Sequence, residues 1–77
     1  MKKQLIRAKE ILEALNIDAD KFYVITTYVS QIIFQGRDFD NEDTIEILKK
    51  NGFVSTDDNS SYTDYTKDDV EFCITKS

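Results

Sequence analysis

Histidine, proline and tryptophan are absent from this 77-residue chain, cysteine occurs once, and glycine twice. Without histidine there is no Ser-His-Asp or Cys-His machinery and no imidazole to hold zinc. A single cysteine forbids an internal disulfide, and with it the disulfide-stapled secreted miniprotein. Gly36 and Gly52 stand too far apart for a glycine-rich phosphate loop. No stretch approaches the ~20 apolar residues that cross a bilayer. Met1-Lys2-Lys3 is positive, but Arg7, Lys9, Glu10 and Glu13 interrupt the segment where a signal peptide is apolar. The expectation is therefore no signal peptide, no membrane span, and a cytoplasmic chain whose thiol stays reduced.

What is present is a soluble globular mix, 40% hydrophobic and 32% charged, with nine aromatic residues, four Tyr and five Phe. One domain spanning 1–77 is all this length supports. A core of this size leaves only ~3–5 kcal/mol of net stability, so self-association or a bound partner would be a natural supplement. The formal charge is −5, and it is unevenly spread. Residues 1–22 hold five Lys/Arg and four Asp/Glu, whereas residues 23–77 hold five and eleven. That balance argues against direct binding to a nucleic acid backbone.

Hydrophobic spacing organises the chain. Leu5, Ala8, Ile11, Leu12 and Leu15 recur every three or four residues, which predicts a helix over 3–16 stopped by Asn16. Segments 22–29 and 31–35 are rich in β-branched and aromatic residues and read as a hairpin, ending at Gly36. Asp40 or Asn41 can cap a second helix, with Glu42 and Asp43 in its first turn and Lys49 and Lys50 in its last. Ile45, Ile47 and Leu48 would face the core, Asn51-Gly52 would give a left-handed stop, and Phe53 would pack back on the helix. Short strands follow at 53–56, 61–66 and 70–75, the middle one polar or at an edge. In the last, Val70, Phe72 and Ile74 go one way and Glu71, Cys73 and Thr75 the other. The expected fold is α+β, a two-layer sandwich of order α-β-β-α-β-β-β, an antiparallel sheet with two helices on one face.

No constellation of residues carries chemistry. The run Asp38-Phe39-Asp40-Asn41-Glu42-Asp43 invites a calcium loop, but the loop's sixth position is Asp43 where glycine is needed, and its twelfth is Lys49 where a bidentate Glu is needed. Cys73 has no base or cation near it in sequence. Asn59-Ser60-Ser61 matches a glycosylation acceptor, which means little without secretion. No catalytic residue, cofactor or metal is expected. Tyr23, Tyr28, Phe34, Tyr62 and Tyr65 raise the alternative of a small single-strand-binding sheet surface, though in the acidic part of the chain.

The remaining candidate is the acidity itself. Asp38, Asp40, Glu42, Asp43 and Glu46 could line one end of the fold, and Asp57, Asp58, Asp64, Asp68 and Asp69 another region. Carboxylates so arranged can occupy a basic groove of a nucleic-acid enzyme. In size, acidity and aromatic content the chain is similar to small proteins of phages and mobile elements, some of which inhibit host nucleases or CRISPR effectors. The resemblance is compositional and rests on no motif. It implies a non-catalytic inhibitor docking on a basic protein surface; a structural or regulatory homodimer is the alternative.

Overall fold

The computed structural model describes residues 2–76. It has the expected α+β order: α1 (Lys2–Leu15), β1 (Val24–Thr27), β2 (Ile32–Arg37), α2 (Glu42–Lys50), β3 (Val54–Asp58), β4 (Tyr62–Lys67) and β5 (Val70–Thr75). Two single-turn 3-10 segments, Ala19–Lys21 and Asp38–Asp40, precede β1 and follow β2.

Both helices end the same way. Asn16 adopts a left-handed φ of 57°, its N–H donates to the Glu13 carbonyl, and the Ile17 N–H reaches back to the Leu12 carbonyl. Gly52, at φ 86°, repeats the arrangement, with its N–H on Lys49 and that of Phe53 on Leu48. These are Schellman stops, in which the residue after the left-handed one packs on the last turn. Leu12 with Ile17, and Leu48 with Phe53, accordingly all lie in the core.

The strands form one sheet of order β1-β2-β5-β4-β3. Three pairings are antiparallel, but the central one, β2 with β5, is parallel, in the register Ile32↔Val70 through Arg37↔Thr75. The sheet is therefore mixed rather than wholly antiparallel. The reason is parity. α2 carries the chain back to the end of the sheet where β2 began, so β3 runs parallel to β2. The two turns of the β3–β4–β5 meander then leave β5 running the same way. The edge also moves: β3, exposed along its whole length, is an outer strand, and polar β4 lies inside it.

Alternation sorts the side chains onto two faces. Ile32, Phe34, Tyr65, Val70, Phe72 and Ile74 point under the helices and join Ala8, Leu12 and Leu48 in one cluster, which puts both helices on that face. Phe72 is at its centre, stacked on Phe34 at 4.5 Å, with Phe22 and Phe53 on its flanks at 5.6 and 5.3 Å. Ile33, Gln35, Glu71, Cys73, Asp64 and Thr66 share the uncovered face and are half-buried there. Leu5 departs from expectation. It is 56% exposed and lines an open groove against Ile25, because β1 is the outermost strand and gives the start of α1 little sheet to cover.

Candidate interaction surface at the acidic end

The strand register decides which loops share an end. β1 begins where β2 and β5 finish, β4 begins there, and β3 finishes there. The turn Ala19–Lys21, the turn Asp38–Asp40, the start of α2 and the β3–β4 connection therefore lie together at one end. They bring Asp18, Asp20, Asp38, Asp40, Glu42, Asp43, Asp57 and Asp58 to it, with Lys21, Arg37 and Lys76. The opposite end holds the start of α1, where Gln4 donates to the Tyr28 carbonyl at 2.7 Å. It also holds the end of α2, where Lys67 Nζ donates to the Asn51 carbonyl at 2.8 Å. Lys3, Arg7, Lys49, Lys50 and Lys67 gather there around Asp68 and Asp69. The molecule is thus polarised along its strands, acidic at one end and basic at the other.

Of the carboxylates expected to form a partner surface, Asp38, Asp40, Glu42 and Asp43 come together on the β1–β2 side of the acidic end. Asp57 and Asp58 reach the same end on the β3 side, three strand spacings from β2, or roughly 14 Å. Glu46 lies exposed midway along α2. Asp64 lies on the uncovered sheet face opposite Cys73, and Asp68 and Asp69 form the turn at the basic end. Asp69 is held there by a bidentate pair from Arg7, with Nη1 at 2.6 Å, and this holds its pKa below the usual carboxylate range. Asp18 and Asp20 belong with the first group and were missed. The Asp18-Ala19-Asp20 spacing is a turn-capping signal: Asp18 accepts the Asp20 N–H at 2.9 Å.

One buried residue fixes this corner. Asn41 occupies the N-cap position of α2, yet its side chain does not cap the helix. It is fully buried, and its Nδ2 donates instead to the Lys21 carbonyl at 2.9 Å and the Arg37 carbonyl at 2.8 Å. That ties the turn before β1 to the end of β2. Asp43 takes up the local work, accepting the Thr44 N–H at 3.0 Å and pairing with Lys21 at 3.2 Å, which lowers its pKa. Lys76 does the same for Asp58 at 2.8 Å. Beside Lys21, the side chains of Asp18, Asp20, Phe39 and Asp40 line an open hollow of about 300 Å³. It is a polar recess with one exposed aromatic ring on its rim.

The other sequence candidates are dispersed. Phe34 and Tyr65 are in the core, Tyr23 and Tyr28 flank the two ends of β1, and Tyr62 is on the uncovered face, donating to Asp57 at 3.1 Å. The five rings do not make one surface. Asn59 uses its Oδ1 to accept the Ser61 and Tyr62 N–H groups, and so shapes the β3–β4 turn. Among the described residues no cluster of His, Cys, Asp or Glu is arranged to hold a metal ion, and no helix is long and apolar enough to cross a membrane.

Cys73 points away from the core but is half-buried. Burial, and then the adjacent Asp64 carboxylate, push its thiol up to about 12. The thiolate is the reactive form. Alkylation by iodoacetamide at pH 8 should therefore be at least about tenfold slower in the folded chain than in urea, and should rise with pH well beyond 9. Equal rates in the two states would show that the thiol is not held in this setting.

Comparison with protein-family models, curated proteins and solved structures gives no match. The function must be argued from the surface itself.

Proposed function

We propose that this chain is a non-catalytic interaction module that docks through its acidic end onto a basic surface of another protein. The observation that supports this is the convergence of Asp18, Asp20, Asp38, Asp40, Glu42 and Asp43 from two segments far apart in sequence onto one corner, with Lys21 and Arg37 as the neighbouring cations. Dispersed carboxylates need no common end merely to keep a protein soluble. Gathered on a corner held by a buried amide, they form a field that steers a basic partner and disfavours acidic ones. A nucleic-acid-binding groove of a nuclease or CRISPR effector is the class of surface this fits, because it is already shaped for closely spaced negative charge. An inhibitor of that kind, acting in the cytoplasm, is the finer form of the proposal.

The test is displacement of a labelled DNA duplex from purified nucleases and CRISPR effectors, followed by fluorescence anisotropy as salt is raised. The module should displace duplex at low ionic strength, and its affinity should fall steeply as the Debye length shortens. Joint Asp38→Asn, Asp40→Asn, Glu42→Gln and Asp43→Asn should weaken it by at least about a hundredfold, since close charge pairs across interfaces are worth about 1.5 kcal/mol or more each. Affinity indifferent both to salt and to the four substitutions would end this reading.

A further inference from the structure

The two edges of the sheet are built differently. An unpaired strand edge invites another strand, and proteins ordinarily guard it with charge, proline or a bulge. β3 carries Asp57 and Asp58, and its register shifts between Ser55 and Asp57. β1 reads Val24-Ile25-Thr26-Thr27, with no charge, and pairs with β2 without interruption. Beside it, under α1, lies an apolar groove of about 380 Å³ lined by Leu5, Ala8, Leu12, Ile17 and Ile25, with Lys9 and Glu13 also on its wall. Leu5, Tyr23, Val24, Ile25, Tyr28 and Val29 are all exposed along this edge, Val29 at 98%. Ile25 points into the groove and Val24 onto the uncovered face, so the edge is apolar on both sides.

We propose that a second copy of this chain covers this edge. β1 of each copy pairs antiparallel with β1 of the other about a two-fold axis perpendicular to the sheet, making one continuous sheet of two five-stranded halves. Charge favours a second copy as occupant. The chain carries −5 overall, which opposes self-association in general, but it is polarised along its strands, and antiparallel β1 pairing sets the acidic end of each copy beside the basic end of the other. Lys9 and Glu13 on the groove wall pair with each other and add no net charge, whereas a two-fold contact through the acidic end would bring like charges together. The pleat also permits it, since directly opposed residues in an antiparallel pair share a face. With Ile25 opposite Ile25 of the second copy, both α1 helices lie on one side of the joined sheet. Val29 of each copy then lies alongside the Ala19–Lys21 turn of the other, near the Ala19 end of the groove. The interface reaches the Ala19–Lys21 turn but leaves Asp38, Asp40, Glu42 and Asp43, the carboxylates replaced in the docking test, on the β2 side, so the two readings fail separately.

Sedimentation equilibrium of the native chain, from about 1 µM to about 1 mM, spans about 4 kcal/mol of association free energy. The expected result is a mass rising from the 9.0 kDa of one chain to twice that. Val24→Lys and Ile25→Lys should each weaken the dimer at least about tenfold, while Val54→Lys on the other edge and Ile33→Lys on the uncovered face leave it intact. Thermal melts of the dilute variants establish that they fold. Should either β1 variant fail to fold, amide exchange in the native chain decides: the Val24–Thr27 amides should gain protection with concentration, and those of β3 should not. A monomer at 1 mM, a dimer broken by Val54→Lys or Ile33→Lys but not by the β1 changes, or β1 amides indifferent to concentration would overturn the proposal.

Discussion

Phe72→Ala should leave the chain largely unfolded at 25 °C, with its cooperative thermal transition lost and its far-UV signal collapsed. Phe72 is fully buried in the central strand and touches three other rings, Phe22, Phe34 and Phe53. Truncating a buried Phe to Ala costs about 3–5 kcal/mol through lost transfer energy and the cavity left behind. A core of this size supplies only ~3–5 kcal/mol of net stability, so the loss consumes all of it. Phe72→Leu, which keeps most of the volume, should fold with a lowered midpoint. Phe39→Ala should melt like the native chain, because Phe39 is 60% exposed. A Phe72→Ala protein that still melted cooperatively within about 1 kcal/mol of native would mean that the core is centred elsewhere.

Gly36→Ala should be nearly as damaging, for a reason that composition cannot reveal. The backbone there is ordinary extended strand, and what is short is space. A Cβ on Gly36 would sit 2.6 Å from Asn41 Nδ2, 2.6 Å from the Lys21 carbonyl oxygen and 3.0 Å from the Phe22 ring. Two of these neighbours are partners in the amide bridge that closes the acidic corner. Relief means moving that bridge. Overpacking costs about 1–3 kcal/mol, and each displaced hydrogen bond adds about 1 kcal/mol. Urea denaturation should register a loss of at least about 2–3 kcal/mol on that basis. Asn41→Ala should cost less in the Gly36→Ala background than in the native one, since the methyl group has already disturbed the same bridge. Additive losses would argue that Gly36 and Asn41 act separately.

Gly36 also marks where the sequence stops being readable. As a residue it looked like the end of a strand, but β2 runs through it to Arg37. The close approach of Asn41 is a tertiary fact. Local signals that act within one helix or one strand were legible: the stops at Asn16 and Gly52, the first turn of α2 with Asp43, and the alternation of Val70, Phe72 and Ile74. The parallel direction of β2 and β5 was legible in principle, because counting reversals along the chain forces it, though their adjacency was not. It was obscured by the dominance of short hairpins, which suggest an antiparallel sheet. Leu5 satisfied the helical stripe but found no sheet opposite, since periodicity identifies a face and not what lies across from it.

The candidate surface was half visible. The run from Asp38 to Asp43 is contiguous and stays together on the fold. Asp18 and Asp20 join it only because β1 starts where β2 finishes, and Asp68 and Asp69 leave it because the β4–β5 turn lies at the far end. Dividing the charge by sequence position, positive first and negative after, therefore mixed two populations that the strands separate by direction.

The central strand is also the last of the five in chain order. During biosynthesis β1 to β4 emerge from the ribosome before β5 does, so for that interval β2 and β4 are each paired on one side only, and the ring cluster waits for its middle member. The sheet therefore closes only when β5 inserts between β2 and β4. A chain caught before β5 has emerged would present a sticky, half-zipped sheet, the kind of species that a chaperone engages.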